Sequence, residues 1–168
     1  SYDALNRVTS QTAPDGTETR YSYDEVGNLT TTVKAYGTEP RTLTTQYDKQ
    51  GRVTKELSAK GASLLVAGLS QTDIDAIWAA HAVKYTYDAA GRRTSSTDAN
   101  GKRTLFYYNA DGNRTHVINA FGEVQETLYN ALGQVSSTID YGGGRIGSTT
   151  LASLSGGLVN STLTAAVQ

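Results

Sequence analysis

The sequence predicts an all-β repeat fold, antiparallel β-hairpins stacked one on the next, with one short inserted helix. Three observations predict it. A tyrosine with Asp or Asn after it, and Gly or Asn three positions further on, recurs at Tyr2-Asp3, Tyr23-Asp24, Tyr47-Asp48, Tyr87-Asp88, Tyr108-Asn109 and Tyr129-Asn130. The intervals between these tyrosines are 21, 24, 40, 21 and 21 residues, and self-similarity at such a period marks supersecondary units that bury their apolar face on their neighbours. The third residue of the motif (Asn6, Gly27, Gly51, Gly91, Gly112, Gly133) has a glycine ten residues after it every time: Gly16, Gly37, Gly61, Gly101, Gly122 and Gly143. Composition agrees, with 11 Tyr, abundant Thr, 2 Phe and 1 Trp in 168 residues, a bias toward side chains that fit a pleated, half-buried surface.

The first turn reads Asp-x-x-Gly, as in Asp24-Glu25-Val26-Gly27. Its carboxylate can accept backbone N–H groups two or three residues on, and glycine supplies the positive φ of a type I turn followed by a bulge. Asn6 takes the glycine position in the first copy, and Asn is the residue that best follows Gly into that conformation. In the flanking strands Tyr21 and Tyr23, Tyr85 and Tyr87, and Phe106 and Tyr108 stand two apart, so each pair shares a sheet face and is expected to stack on the pair in the next hairpin.

Length varies in one slot, between the second glycine and the next tyrosine, so extra residues are confined to one edge of the sheet. The longest insertion, about residues 62–80, changes period: Ile74, Ile77, Trp78 and Ala82 follow helical spacing behind Thr72-Asp73-Ile74-Asp75, which reads as a capping box. A helix over about 72–82 is predicted. Trp78 is a candidate ligand contact, weighed against packing on the sheet edge. These readings give a hairpin array over 1–143 and a Gly/Ser/Thr/Ala-rich tail over 144–168, expected to be flexible or a truncated second insertion.

Composition excludes several functions. A formal net charge of -1 from 15 basic and 16 acidic residues leaves no basic footprint for nucleic acid, and no apolar run reaches the roughly 20 residues that span a bilayer. No Cys is present, nor any Met, and a chain starting inside a repeat is expected to be a segment of something longer. The aligned Asp3, Asp24, Asp48 and Asp88 suggest acid–base or metal chemistry, but Asn109 and Asn130 hold the same position and cannot act as carboxylate bases. His81 and His116 have no metal-ligand spacing, and no nucleophile signature appears. No catalytic residue, cofactor or metal is expected, and carbohydrate binding by exposed tyrosines remains as an alternative.

Tyr2-Asp3-Ala4-Leu5-Asn6-Arg7-Val8-Thr9, Tyr23-Asp24-Glu25-Val26-Gly27-Asn28-Leu29-Thr30 and Tyr87-Asp88-Ala89-Ala90-Gly91-Arg92-Arg93-Thr94 resemble the YD repeat of the Rhs family. That family includes bacterial Rhs effectors, encapsulating subunits of insecticidal Tc complexes, wall-associated bacterial toxins and animal teneurins. The resemblance implies hairpins wound into a hollow β-shell, of which this chain would be a curved strip. In bacterial polymorphic toxins it implies a shell that encapsulates a C-terminal toxin domain, with neighbouring repeats and that domain as partners, in a secreted, injected or cell-surface protein. The alternative it leaves open is a carbohydrate- or partner-binding module of a cell-surface protein. Bacterial members often carry an Asp-Pro-x-Gly motif linked to self-cleavage; this chain has no Asp-Pro, so no such activity is implied.

Overall fold

A computed structural model describes residues 1–142 and 145–167. Strands β1 (Ser10–Thr12), β2 (Glu18–Tyr23), β3 (Leu29–Lys34), β4 (Arg41–Tyr47) and β5 (Val53–Leu57) lead to helices α1 (Ala59–Ala62) and α2 (Gln71–His81). Next come β6 (Ala82–Tyr87), β7 (Arg93–Thr97), β8 (Arg103–Tyr108), β9 (Arg114–Ile118), β10 (Val124–Tyr129) and β11 (Val135–Asp140). The chain finishes with α3 (Ser148–Ser153), β12 (Gly157–Leu158) and α4 (Ser161–Ala166). The sheet follows chain order from β1 to β11, and β12 joins it off this path, parallel to β8. This is the all-β hairpin repeat that the spacing predicts.

In four hairpins the register shifts by one residue on reaching the motif tyrosine, at Ser22/Tyr23, Gln46/Tyr47, Tyr107/Tyr108 and Leu128/Tyr129. The shift is the bulge that an Asp-x-x-Gly or Asn-x-x-Gly turn imposes, and it sets the tyrosine where the strand's local twist increases. The motif position has positive φ throughout, 61° at Asn6, 96° at Gly27 and 74° at Gly51.

The chain forms two compact units, Ser1–Lys84 and Tyr85–Gln168, which divide inside β6. In the first, Leu57, Ala62, Trp78 and Ala82 form a buried cluster, with Leu65, Ile74 and Ile77 packed against it. The inserted helix is present but starts earlier than predicted. Ser70, not Thr72, is the N-cap: its hydroxyl accepts from the Asp73 N–H while the Asp73 carboxylate accepts from the Ser70 N–H, which closes the capping box two residues upstream. Gly61 also corrects the expectation of a turn every ten residues. It lies in α1, where an added Cβ would stand 2.8 Å from a Leu57 methyl and 3.0 Å from His81 Cβ, so its role is close approach of the helix to the sheet.

In the second unit the core is Leu105, Tyr107, Ile118, Val124, Ile146, Leu154 and Leu163. Three of these, Ile146, Leu154 and Leu163, belong to the tail, whose described residues are packed on the sheet, unlike the flexible one of the two states expected for it. Among the described residues α1, α3 and α4 are further short helices on the all-β array. Gly143, the proposed boundary at 143/144, and Gln168 lie outside the described residues. Among the described residues no helix is long and apolar enough to cross a membrane.

Candidate functional site: the joint between repeats

Each motif turn is closed by its first residue. The Asp3 N–H donates to the Arg7 carbonyl and the Asn6 N–H to the Asp3 carbonyl; the same two bonds recur at Asp24, Asp48, Asp88, Asn109 and Asn130. One side-chain oxygen then takes two further N–H groups, those of Leu5 and Arg7 on Asp3, Gln50 and Arg52 on Asp48, and Leu132 and Gln134 on Asn130. The second turn of a repeat uses the same loop: Asp98 accepts from Asn100 and Lys102, and Asn119 from Phe121 and Glu123. The Asp98-Ala99-Asn100-Gly101 stretch is therefore a turn of the same kind.

The second side-chain atom of the motif residue meets the residue just after the glycine. Asp3, Asp48 and Asp88 accept from the Nε of Arg7, Arg52 and Arg92, each at 2.7 Å, and Asp24 accepts from the Asn28 amide at 2.8 Å. Where the motif residue is an amide, polarity reverses: Asn130 donates to Gln134, and Asn119 to Glu123. Because the oxygen is already fixed by two N–H donors, an amide must present NH2 outward and needs an acceptor. Sequence reasoning missed this partner position; the pairing of Asp with Arg or Asn, and of Asn130 with Gln134, is the signal that reveals it.

These bonds hold the carboxyls below their ordinary value. For Asp48 the Arg52 N–H is the main cause, opposed by burial and reinforced by the guanidinium; for Asp24 it is the Asn28 side-chain amide. The stability they confer is present above pH 3.8, the ordinary value, and is lost as pH falls through the depressed native values. Asp48→Asn is expected to lower the urea midpoint more than Asp24→Asn, since the new NH2 faces a guanidinium at position 52 but an amide that can turn over at position 28. Equal shifts in the two variants would contradict the pairing.

Successive repeats are tied by the motif tyrosine. Tyr23 donates its hydroxyl to the Val8 carbonyl at 2.8 Å, Tyr47 to Leu29 at 2.7 Å, Tyr108 to Arg93 at 2.8 Å and Tyr129 to Arg114 at 2.9 Å. In every case the acceptor lies two residues after the motif Asn or Gly of the preceding repeat. Guanidinium groups add to the joint: Arg7 lies over the Tyr23 ring at 4.5 Å and donates to the Asp24 carbonyl, and Arg92 lies over Tyr108 at 5.1 Å. Ring-on-ring stacking was expected; at Tyr23 and Tyr108 the tie is a hydroxyl bond plus a cation over the ring. Tyr47→Phe is expected to cost about 1 kcal/mol in urea unfolding, the net worth of one part-buried hydrogen bond, and an unchanged midpoint would show that the hydroxyl does not tie the repeats.

The remaining predicted positions divide in two. Gly91, Gly112 and Gly133 close their turns with φ of 81°, 85° and 74°, whereas Tyr2 forms an isolated bridge with Val8 and is largely exposed, and Tyr87 lies part-buried in β6. Trp78 is only 4% exposed. It packs into the first unit's core and offers no open face to a ligand, which corrects its reading as a ligand contact.

The model of the RHS repeat family matches residues 2–39, 81–104 and 87–124. Among curated proteins, the chain is 30% identical over 118 residues to a tRNA nuclease, WapA, of Bacillus subtilis strain 168, and equally to a tRNA(Glu)-specific nuclease WapA of Bacillus subtilis subsp. natto. Each match covers 70% of this chain, which spans only 4% of the relative's length. Among solved structures it is similar in fold to a Photorhabdus luminescens Tc holotoxin pore with a mutated TccC3, at TM-score 0.51 and 16% identity, and to a TcdB2-TccC3-Cdc42 structure, at 0.52 and 15%. Both cover 83% of this chain and 8% of theirs.

Proposed function

The chain belongs to the Rhs (YD-repeat) family, and from that premise we propose that it is a wall segment of a hollow shell enclosing a C-terminal toxin domain in a secreted or injected bacterial protein. The observation that carries the reading is the commitment of the motif groups. The carboxylate oxygens of Asp3, Asp24 and Asp48 are taken up by turn N–H groups and the i+4 side chain, and four motif hydroxyls reach the repeat before them. A residue spent on joining repeats is not poised for acid–base chemistry, so the row works as a joint and the segment acts by confinement.

Two features of the comparisons support this assignment. The curated relatives are nucleases of which this chain matches 4%, as a repeated wall element would, and the solved relatives are Tc toxin assemblies. The partners proposed are neighbouring repeats on either side and the enclosed domain, and the place of action is outside the producing cell. Limited proteolysis of the intact parent protein tests the reading. The C-terminal region is expected to resist protease in the intact parent and to be cut rapidly when residues 1–142 are deleted; equal cleavage in both would overturn it.

A further inference from the structure

Residues 145–167 cover one face of β8, β9 and β10 and are attached at three places. Ile146, Leu154 and Leu163 are buried against Leu105, Tyr107, Ile118 and Val124. β12 pairs with β8, Gly157 opposite Tyr107 and Leu158 opposite Tyr108, and the Val159 N–H donates to the Tyr108 carbonyl. β7 pairs with β8 only from Ser95/Leu105 to Thr97/Arg103. Beyond Ser95 the two strands part, and Gly156 sits in the fork, where an added Cβ would run into the Thr94 carbonyl and stand 3.0 Å from that of Phe106. The third attachment is α4, which forms one side of a half-open cavity of about 250 Å³ lined by His116, Glu126, Tyr141, Val159, Leu163 and Val167, among others.

That cavity places titratable groups beneath an apolar cover. His116 Nε2 is 3.7 Å from Glu126 Oε1, and the Tyr141 hydroxyl donates to Glu126 Oε2 at 2.6 Å. His116 Nδ1 lies 3.0 Å from the Thr115 hydroxyl. On β8, Tyr107 pairs in register with His116, and among the described residues its buried hydroxyl has no hydrogen-bond partner. α4 brings no charged residue to the cavity. Among the described residues Glu126 is thus the carboxylate that faces His116, and Tyr141 and Tyr107 are the phenols in the same layer.

We propose that residues 145–167 form a releasable cover and that protonation of His116 releases it. A covered imidazolium would lie beneath Val159, Leu163 and Val167 with the Glu126 carboxylate 3.7 Å away, whereas an uncovered one is hydrated and keeps Glu126 beside it. Burial accordingly pushes His116 below its ordinary 6.5, by more than Glu126 raises it. The sign follows: the open form binds the proton more strongly, so the covered form is fully stable above pH 6.5 and loses ground as pH falls through the depressed value. Each unit of depression raises the open-to-covered ratio at low pH by up to about tenfold.

Amide hydrogen exchange on the 168-residue chain, corrected for intrinsic rates, tests the proposal at pH 7.5 and 5.0. Amides of residues 154–167 are expected to lose protection at pH 5.0 while those of β9 and β10 keep theirs, and His116→Gln is expected to abolish the difference. Tail protection that is equal at the two pH values, or a pH response that persists in His116→Gln, overturns the proposal. Gly156→Ala, which blocks the fork, is expected to open the cover at both pH values with the sheet still protected; collapse of the sheet in that variant would show that the tail is core and not cover. If His116→Gln does not fold, NMR of the unaltered chain decides: a His116 ring titration that coincides with loss of tail protection supports the proposal, and separated midpoints overturn it.

Discussion

Trp78→Ala is expected to destabilise the Ser1–Lys84 unit by about 3–5 kcal/mol, the usual cost of removing a large buried aromatic. The indole is 4% exposed and packs in one cluster with Leu57 and Ala82, both fully buried, and with Ala62 of α1. It therefore joins the α1–α2 insertion to the ends of β5 and β6, and nothing nearby can swell to refill its volume without moving a helix. Against a domain stability of about 5–15 kcal/mol this is a large share. Urea unfolding followed by circular dichroism measures it, since Trp78 is the single tryptophan and fluorescence is lost with the residue. A midpoint that does not move would mean that the ring lies at the surface, where a ligand role would again be open.

Gly122→Ala is expected to cost about 3 kcal/mol, and Gly133→Ala about 1 kcal/mol. Both glycines close motif-type turns with positive φ, 80° and 74°, so both substitutions carry the penalty of a side chain in the left-handed region, about 1–2 kcal/mol. They differ in surroundings. A Cβ at Gly133 meets nothing within 4 Å, whereas at Gly122 it runs into the backbone carbonyl of Ile146, whose N–H donates to the Gly122 carbonyl at 2.9 Å. Overpacking adds about 1–3 kcal/mol there and pushes Ile146 out of the core. Urea midpoints and exchange of the Ile146 amide separate the two terms, and equal losses in both variants would show that the Ile146 contact relaxes freely.

The contrast between these glycines also marks what the sequence discloses. Asp24-Glu25-Val26-Gly27 states its own geometry, because the carboxylate, the N–H groups that it binds and the glycine lie within five residues. Hairpin order followed from the same local chemistry repeated along the chain, with the extra length confined to one slot of the repeat. The α2 helix was legible from the spacing of Ile74, Ile77 and Trp78, but its start was misplaced because Thr72 and Ser70 each have an aspartate three residues on, Asp75 and Asp73, and only the folded backbone selects the Ser70–Asp73 pair.

What was not legible is non-local. Gly61 and Gly156 read as a turn and as a flexible linker, yet each is glycine because another segment passes too close for a Cβ, Leu57 and His81 in one case and Thr94 in the other. The tail was judged by its Ser/Thr/Gly content, whereas Leu154 and Leu163 are 2% and 0% exposed; two leucines suffice where a preformed sheet face awaits them. The complement between Asp48 and Arg52, or Asn130 and Gln134, lay in plain view four residues apart, and so did the carbonyl that receives each tyrosine hydroxyl, two residues beyond the preceding motif Gly or Asn. Neither is apparent until the turn geometry fixes which atoms face each other.

An electron cryomicroscopy map of the intact parent protein tests the central claim most directly. The account predicts residues 1–142 as consecutive strands of a closed wall, with the motif tyrosines at successive joints and density for the C-terminal domain inside. A C-terminal domain outside the wall, or a sheet that ends free in solvent with nothing enclosed, would contradict it.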